Sequence, residues 1–196
     1  MKIAIYTGEP LEKIRLACRS AAETLDFVCQ QARLGMTTAE IDQLIRAETK
    51  RRGATPSQLG YHGFPGAVCT SRNDVVCHGI PREDVVLADG DILNIDVTSN
   101  LNGYHGDTSR MVQIGAVSAE HARLVDVAER CLAVGIEQVR PGAHFGDIGY
   151  AISRLAQREG CSIVREYGGH GIGSKMHMDP HVSHVGRRGE GPRMKP

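Results

Sequence analysis

The sequence contains no run of about 18 consecutive apolar residues, so no membrane-spanning helix is expected. It has no net charge, with 23 Lys and Arg against 23 Asp and Glu. Without a basic excess, nucleic acid is excluded as the main partner, although a local basic patch stays open. None of the six cysteines (Cys18, Cys29, Cys69, Cys77, Cys131, Cys161) forms a C-x-x-C pair, which argues against a zinc knuckle or a thioredoxin motif. In a reducing compartment most of them are expected to be buried thiols. The apolar start, Met1-Lys2-Ile3-Ala4-Ile5-Tyr6, is too short for a signal-peptide core, and the expected location is the cytoplasm.

What is present fits a folded protein of one domain or two small lobes: 196 residues, 41% apolar and 23% charged. Nine histidines and 23 glycines stand out. The chain also repeats itself at an offset of 107 residues, which pairs Arg33 with Arg140, Gly35 with Gly142, Glu40 with Asp147, Ile41 with Ile148, Ile45 with Ile152 and Gly53 with Gly160. Each copy reads as two helices broken by glycine. From Leu11 to Gln31, residues Ile14, Ala17, Ala21, Leu25 and Val28 recur at a helical period. Pro10 precedes this run, where a first turn tolerates proline. Thr37-x-x-Glu40 is a capping box for a second helix ending at Gly53. The order returns with a helix from Ser118 to Val139, a break at Pro141-Gly142 and a helix from Asp147 to Glu159.

Between the helix pairs, Ala67–Thr70, Val75–Cys77, Ile92–Val97 and Ser109–Ile114 are short strand-prone runs, and Asn100-Leu101-Asn102-Gly103 signals a hairpin. The fold class is therefore α+β, with duplicated helix pairs and an antiparallel sheet. A second unit starting near 118 would run to about 224, past the last residue, so the second copy is expected to be C-terminally incomplete.

Asp96 and Asp107 flank the hairpin. A four-residue loop would place them directly opposite, ~5 Å apart at Cβ. A two-residue loop shifts the pairing by two and keeps both on one face. Paired carboxylates repel unless they share a proton or a cation. Either the acids point at solvent from an exposed hairpin, or they form a buried pair with a hard divalent ion. The apolar flank of Ile92, Leu93, Ile95 and Val97 favours the buried pair. His170 sits within Gly168-Gly169-His170-Gly171-Ile172-Gly173, where glycines allow close backbone approach to a ligand. A dinucleotide fingerprint does not fit that spacing. His177 follows, and His78 lies in a Gly-Ile-Pro turn. His105, His121, His144, His181 and His184 carry no assigned chemistry.

Five ordered motifs carry a resemblance: Gly60-Tyr61-His62-Gly63-Phe64-Pro65, Asn73 to Pro81, Asn94-Ile95-Asp96-Val97, Gly103 to Ser109, and Gly169 to Gly173. Together they resemble methionine aminopeptidases of the bacterial type I class over nearly the whole chain. The resemblance implies the pita-bread fold, a pseudo-twofold α+β duplication, as a single domain over 1–196 with repeats of about 11–117 and from about 118. It implies removal of the N-terminal methionine from nascent proteins, with a preference for a small second residue, through two divalent cations (Co, Mn, Fe, Zn or Ni).

By the same resemblance, Asp96, Asp107 and His170 are metal ligands, with Asp107 bridging. His78 and His177 position the substrate peptide group and stabilise the developing oxyanion. Tyr61, Phe64, Cys69 and Met176, with His62 nearby, line the methionine pocket. Partners would be nascent chain N-termini near the ribosome, bound by a monomer. Two glutamate ligands of the family are absent, and Gln58 and Met176 depart from common residues. A non-catalytic peptide- or ribosome-binding protein is the alternative. A proline-specific relative fits the Tyr61–Phe64 and Val76–Pro81 motifs less well.

Overall fold

The computed structural model describes residues 3–195. Met1, Lys2 and Pro196, which enter the terminal readings above, lie outside the described residues. The chain divides into two compact units, and the main boundary falls between Ser118 and Ala119. The first unit comprises 4–118 with 172–177. The second comprises chiefly 119–171 and 178–195.

In the first unit, α1 spans Gly8–Gln31 and buries Ala17, Ala21, Leu25 and Val28, the stripe expected from the periodicity. It begins earlier than Leu11, with Pro10 inside its first turn, where a missing N–H leaves no intrahelical bond unmade. Helix α2 spans Thr38–Arg51. Its capping box is formed: the Glu40 N–H donates to Thr37 Oγ1 at 3.1 Å, and the Thr37 N–H donates to Glu40 Oε2 at 2.6 Å.

Four antiparallel strands follow: β1 (Thr55–Pro56), β2 (Cys69–Arg72), β3 (Ile92–Leu101) and β4 (Tyr104–Gln113). Strand β3 is central. β4 pairs along one side of it, and β2 and β1 along the other. Alternation divides the sheet into two faces. Leu93, Ile95 and Val97 are at most 1% exposed and join Leu25, Val28, Ile41, Ile45, Val68 and Leu87 in the core under the helices. Gly106 of β4 lets α1 approach, because a Cβ there would lie 2.4 Å from backbone atoms of Ala17 and Cys18. The opposite face carries Asn94, Asp96, Thr98 and Asn100.

Two expectations, a strand at Val75–Cys77 and mostly buried cysteines, are corrected, and the choice between the two hairpin loops is decided. Val75–Cys77 is not a strand: Asn73 turns the chain out of β2 at φ 52°, and Val75 and Val76 are 44% and 65% exposed. The hairpin loop has two residues, since Leu101 pairs with Tyr104. Of the six cysteines, all free, only Cys69 is buried, because the others lie on partly covered helix faces or in loops.

In the second unit, α3 spans Ala119–Ile136, ending short of Val139, and α4 spans Phe145–Arg158. Gly135 lets α3 approach Ile148 and Ile152 of α4. Strands β5 (Gly168–Gly171) and β6 (Met178–Ser183) form an antiparallel pair with a register shift after His170.

The 107-residue offset reappears in the backbone hydrogen bonds of the two units. Gly35 N–H donates to Leu87 O at 2.9 Å, and Gly142 N–H to Met194 O at 2.9 Å. Leu87 N–H donates to Met36 O, as Met194 N–H does to Ala143 O. Thr37 bridges Val86, and His144 bridges Arg193. Asp147 Oδ2 accepts the His144 N–H at 2.7 Å, the counterpart of Glu40 on Thr37. Gly53 and Gly160 end the second helices at φ 71° and 70°. The duplication thus extends well past the helices in which the sequence displays it.

Candidate active site

Asp96 stands on β3 and Asp107 on β4. Asp96 pairs with Ser109, and Asp107 with Thr98. The carboxylates are therefore diagonal neighbours on one face rather than directly opposed. The expected buried pair is also corrected: Asp96 is half-buried and Asp107 exposed. The apolar flank was misleading because Leu93, Ile95 and Val97 point to the other face, under α1, and say nothing about the surroundings of the acids.

Cys69 of β2 pairs with Asp96 from the other side, on the same face. Its thiol is pushed up to about 12, by burial first and then by the negative charges of Asp96, Asp107 and Cys77. Both carboxylates thus act on one buried, protonated sulfur. Gln58, which the sequence marks only as a departure, anchors this strand. Its Nε2 donates to Asp96 O at 2.9 Å, and its Oε1 accepts the Thr98 N–H at 3.3 Å, so the side chain continues the ladder beside β3.

His105 has a structural role. Its Nδ1 meets Ser57 Oγ at 2.8 Å and its Nε2 meets Asn100 Nδ2 at 3.0 Å. Burial lowers its pKa, against the pull of Asp107. Neither role was visible in the sequence, where no spacing ties residues 57 and 58 to residues 96–105.

Tyr61, His62 and Gly63 form a single 3-10 turn, with His62 in the left-handed region at φ 46°. The Tyr61 ring lies 4.3 Å from that of His62 and 5.2 Å from that of His177. Tyr61 Oη is 2.9 Å from His177 Nδ1. His78 occupies an exposed loop at φ 55°, held by a neighbouring glycine: Gly79 O accepts the Thr70 N–H at 2.8 Å, and a Cβ on Gly79 would lie 2.2 Å from Thr70 O. Positive φ at a bulky non-glycine residue is uncommon and concentrates at functional positions. Phe64 is half-buried, and Met176 is buried at 6% exposure.

His170 lies on β5 in the second unit and is half-buried. Its Nδ1 lies 3.0 Å from Gly171 O. A carbonyl oxygen can only accept, so in the neutral ring Nδ1 carries the proton and Nε2 the lone pair, the tautomer that suits a metal ligand. Two carboxylates and such an imidazole fit a divalent cation in donor chemistry. Among the described residues, no three His, Cys, Asp or Glu side chains are grouped to hold a metal ion.

Residues 12–196 match metallopeptidase family M24. The chain belongs to that family, among its methionine aminopeptidases. It is 44% identical to methionine aminopeptidase A of Synechocystis sp., covering 99% of this chain and 77% of the relative. The crystal structure of methionine aminopeptidase from Rickettsia prowazekii superposes with a TM-score of 0.96 at 46% identity, over 99% of this chain and 78% of that one. The Thermotoga maritima enzyme gives 0.96 at 30% identity, again over 99% and 78%. The α+β architecture found here is therefore the pita-bread fold of the methionine aminopeptidases.

Proposed function

We propose that this protein is a metal-dependent aminopeptidase that removes the N-terminal methionine from polypeptides, and that 1–196 acts as one pita-bread domain. The observation that carries the reading is the pair Asp96 and Asp107 on one face of the β3–β4 hairpin, beside Cys69, in a chain of the M24 family. Asp96, Asp107 and His170 would hold divalent cations, two of them with Asp107 shared. When bound, such cations lower the pKa of water and polarise the scissile carbonyl.

The side chains of the protein supply the rest. His177, held through Nδ1 by Tyr61, presents Nε2 to the substrate peptide group, and His78 serves the same group from its left-handed turn. Tyr61, His62, Phe64, Cys69 and Met176 form an aromatic and sulfur-rich surface suited to a thioether side chain. The protonated Cys69 thiol adds no charge to that surface. A small second residue in the substrate, nascent chains near the ribosome as the source, a cytoplasmic location and a monomeric state complete the reading. Among the described residues no helix is long and apolar enough to cross a membrane.

The test is to incubate the purified chain with Met-Ala-Ser and Co²⁺, Mn²⁺ or Fe²⁺ and to separate the products by chromatography. Free methionine that disappears with chelator is expected. Release undiminished by chelator, cleavage at interior bonds, or no release with any of the metals would overturn the reading. The last outcome would favour a non-catalytic peptide binder.

A further inference from the structure

The second unit contains a cavity of about 340 Å³ lined by Gln138, Arg140, Asp147, Arg188 and Arg193. That volume lies in the range of small-ligand sites. All three arginines are exposed. Arg193 Nε donates to Gly142 O at 3.1 Å, which fixes its guanidinium at the rim. Neither Arg140 nor Arg188 takes part in a salt bridge among the described residues.

The single carboxylate in the wall is committed to the backbone. Asp147 Oδ2 accepts the His144 N–H at 2.7 Å and Oδ1 accepts the Gly189 N–H at 2.7 Å. These two bonds hold its pKa below the usual carboxylate range, so it stays charged and joins the start of α4 to the 187–191 segment. Three guanidinium charges against one carboxylate leave the cavity two positive charges in excess, in a chain whose total charge is zero.

The internal duplication shows that the fold does not require this charge. At the same offset of 107, the first unit has Gln31, Arg33 and Glu40 opposite Gln138, Arg140 and Asp147, but Val86 opposite Arg193, each bridged to the residue before the second helix of its unit. Both copies close the same frame, through Gly35 on Leu87 and Gly142 on Met194. The Arg193 guanidinium thus stands on a frame that the first unit closes with a valine at the same place. Like charges gathered around one cavity repel, and a multiply charged oxyanion relieves that repulsion. Guanidinium forks match phosphate oxygens in pairs.

We propose that this cavity binds a phosphate-class oxyanion carrying at least two negative charges, at a site separate from the aspartates of the hairpin. The proposal does not depend on the peptidase reading. The test is a titration of the isotope-labelled full chain with inorganic pyrophosphate at constant ionic strength, followed through the backbone amide signals of Gly142, Asp147 and Gly189. Saturable shifts are expected. Arg140→Ala and Arg188→Ala, both at exposed positions, should each weaken binding about tenfold. Arg193→Val, which restores the side chain of the first copy, should do the same with the fold intact. A nucleoside diphosphate is the second probe: equal affinity means that the phosphates alone are read, and tighter affinity means that a nucleotide is the source. Identical shifts with sodium chloride alone, or pyrophosphate affinity unchanged in all three variants, would overturn the proposal.

Discussion

The Tyr61 hydroxyl lies 2.9 Å from Nδ1 of His177, and the two rings are 5.2 Å apart, although 116 positions separate the residues in sequence. If Tyr61 donates, the proton of the neutral imidazole sits on Nε2, the atom turned to the substrate in the proposed function. Tyr61→Phe keeps the ring and removes only that bond. It should lower kcat about tenfold with a smaller change in KM, and the imidazole nitrogen resonances of His177 should show a changed tautomer. An unchanged tautomer and unchanged kcat would show that the hydroxyl does not position His177. The nitrogen spectrum reads the bond whether or not the preparation is active.

Asp107 is exposed, and substitutions at exposed positions shift stability by about 0.5 kcal/mol or less, the change expected for Asp107→Ala. The same change should weaken Mn²⁺ binding, measured by titration calorimetry, and abolish methionine release. Near-normal kcat at saturating metal would refute the shared-ligand role.

How far the sequence reveals this fold depends on the range of the interactions involved. The duplicated helix pairs were legible because Thr37-x-x-Glu40 and its counterpart at Asp147 are local signals, and local signals survive in one dimension. The hairpin was legible in place but not in register, because Asn100 to Gly103 allows either a two- or a four-residue loop. The apolar run around Asp96 suggests burial, but in a strand the neighbours at odd spacing belong to the other face and carry no information about the surroundings of the acid. Gln58 and His105 were out of reach because their partners, Asp96, Thr98, Ser57 and Asn100, come together only when β3 is in place. Cys69 as the point where both carboxylate fields meet depended in the same way on the β2–β3 pairing.

Asp91 should make the fold acid-sensitive. It is 5% exposed and accepts from Arg72 Nε at 2.5 Å, Arg72 Nη2 at 3.0 Å, Asn73 Nδ2 at 2.8 Å and the Ala88 N–H at 2.7 Å. Burial alone would raise its pKa, but Arg72, Ala88 and Asn73 outweigh burial and hold it below the usual range. A carboxyl lowered by folding contributes stability that is fully present above its unfolded pKa, about 3.9, and is lost as pH falls through the folded value. Asp91→Asn should therefore cost about 2 kcal/mol at pH 7, less than a fully buried pair because Arg72 is partly exposed. It should also flatten the loss of stability below about pH 4. Urea unfolding midpoints of the two proteins measured from pH 7 to pH 3 check both statements, and parallel curves would contradict the assignment.

Gly106 separates steric fit from chemistry at the aspartate next to it. Its backbone is not left-handed, so alanine meets no torsional objection there. A Cβ at 106 would nonetheless lie 2.4 Å from the Ala17 carbonyl and the Cys18 nitrogen, helix backbone that cannot rotate aside. Helix α1 would have to lift from β4, loosening Leu25 and Val28 from the core formed with Leu93, Ile95 and Val97. Gly106→Ala should therefore destabilise the protein by about 3 kcal/mol, at the upper end of overpacking costs. The strand that carries Asp107 would shift with it, so metal affinity should fall in the same variant. Asp107→Ala should lose metal without losing stability, and the two variants measured side by side by urea unfolding and Mn²⁺ titration distinguish a ligand from its support. Wild-type stability in Gly106→Ala would refute the close packing of α1 on β4 as the reason for glycine at this position.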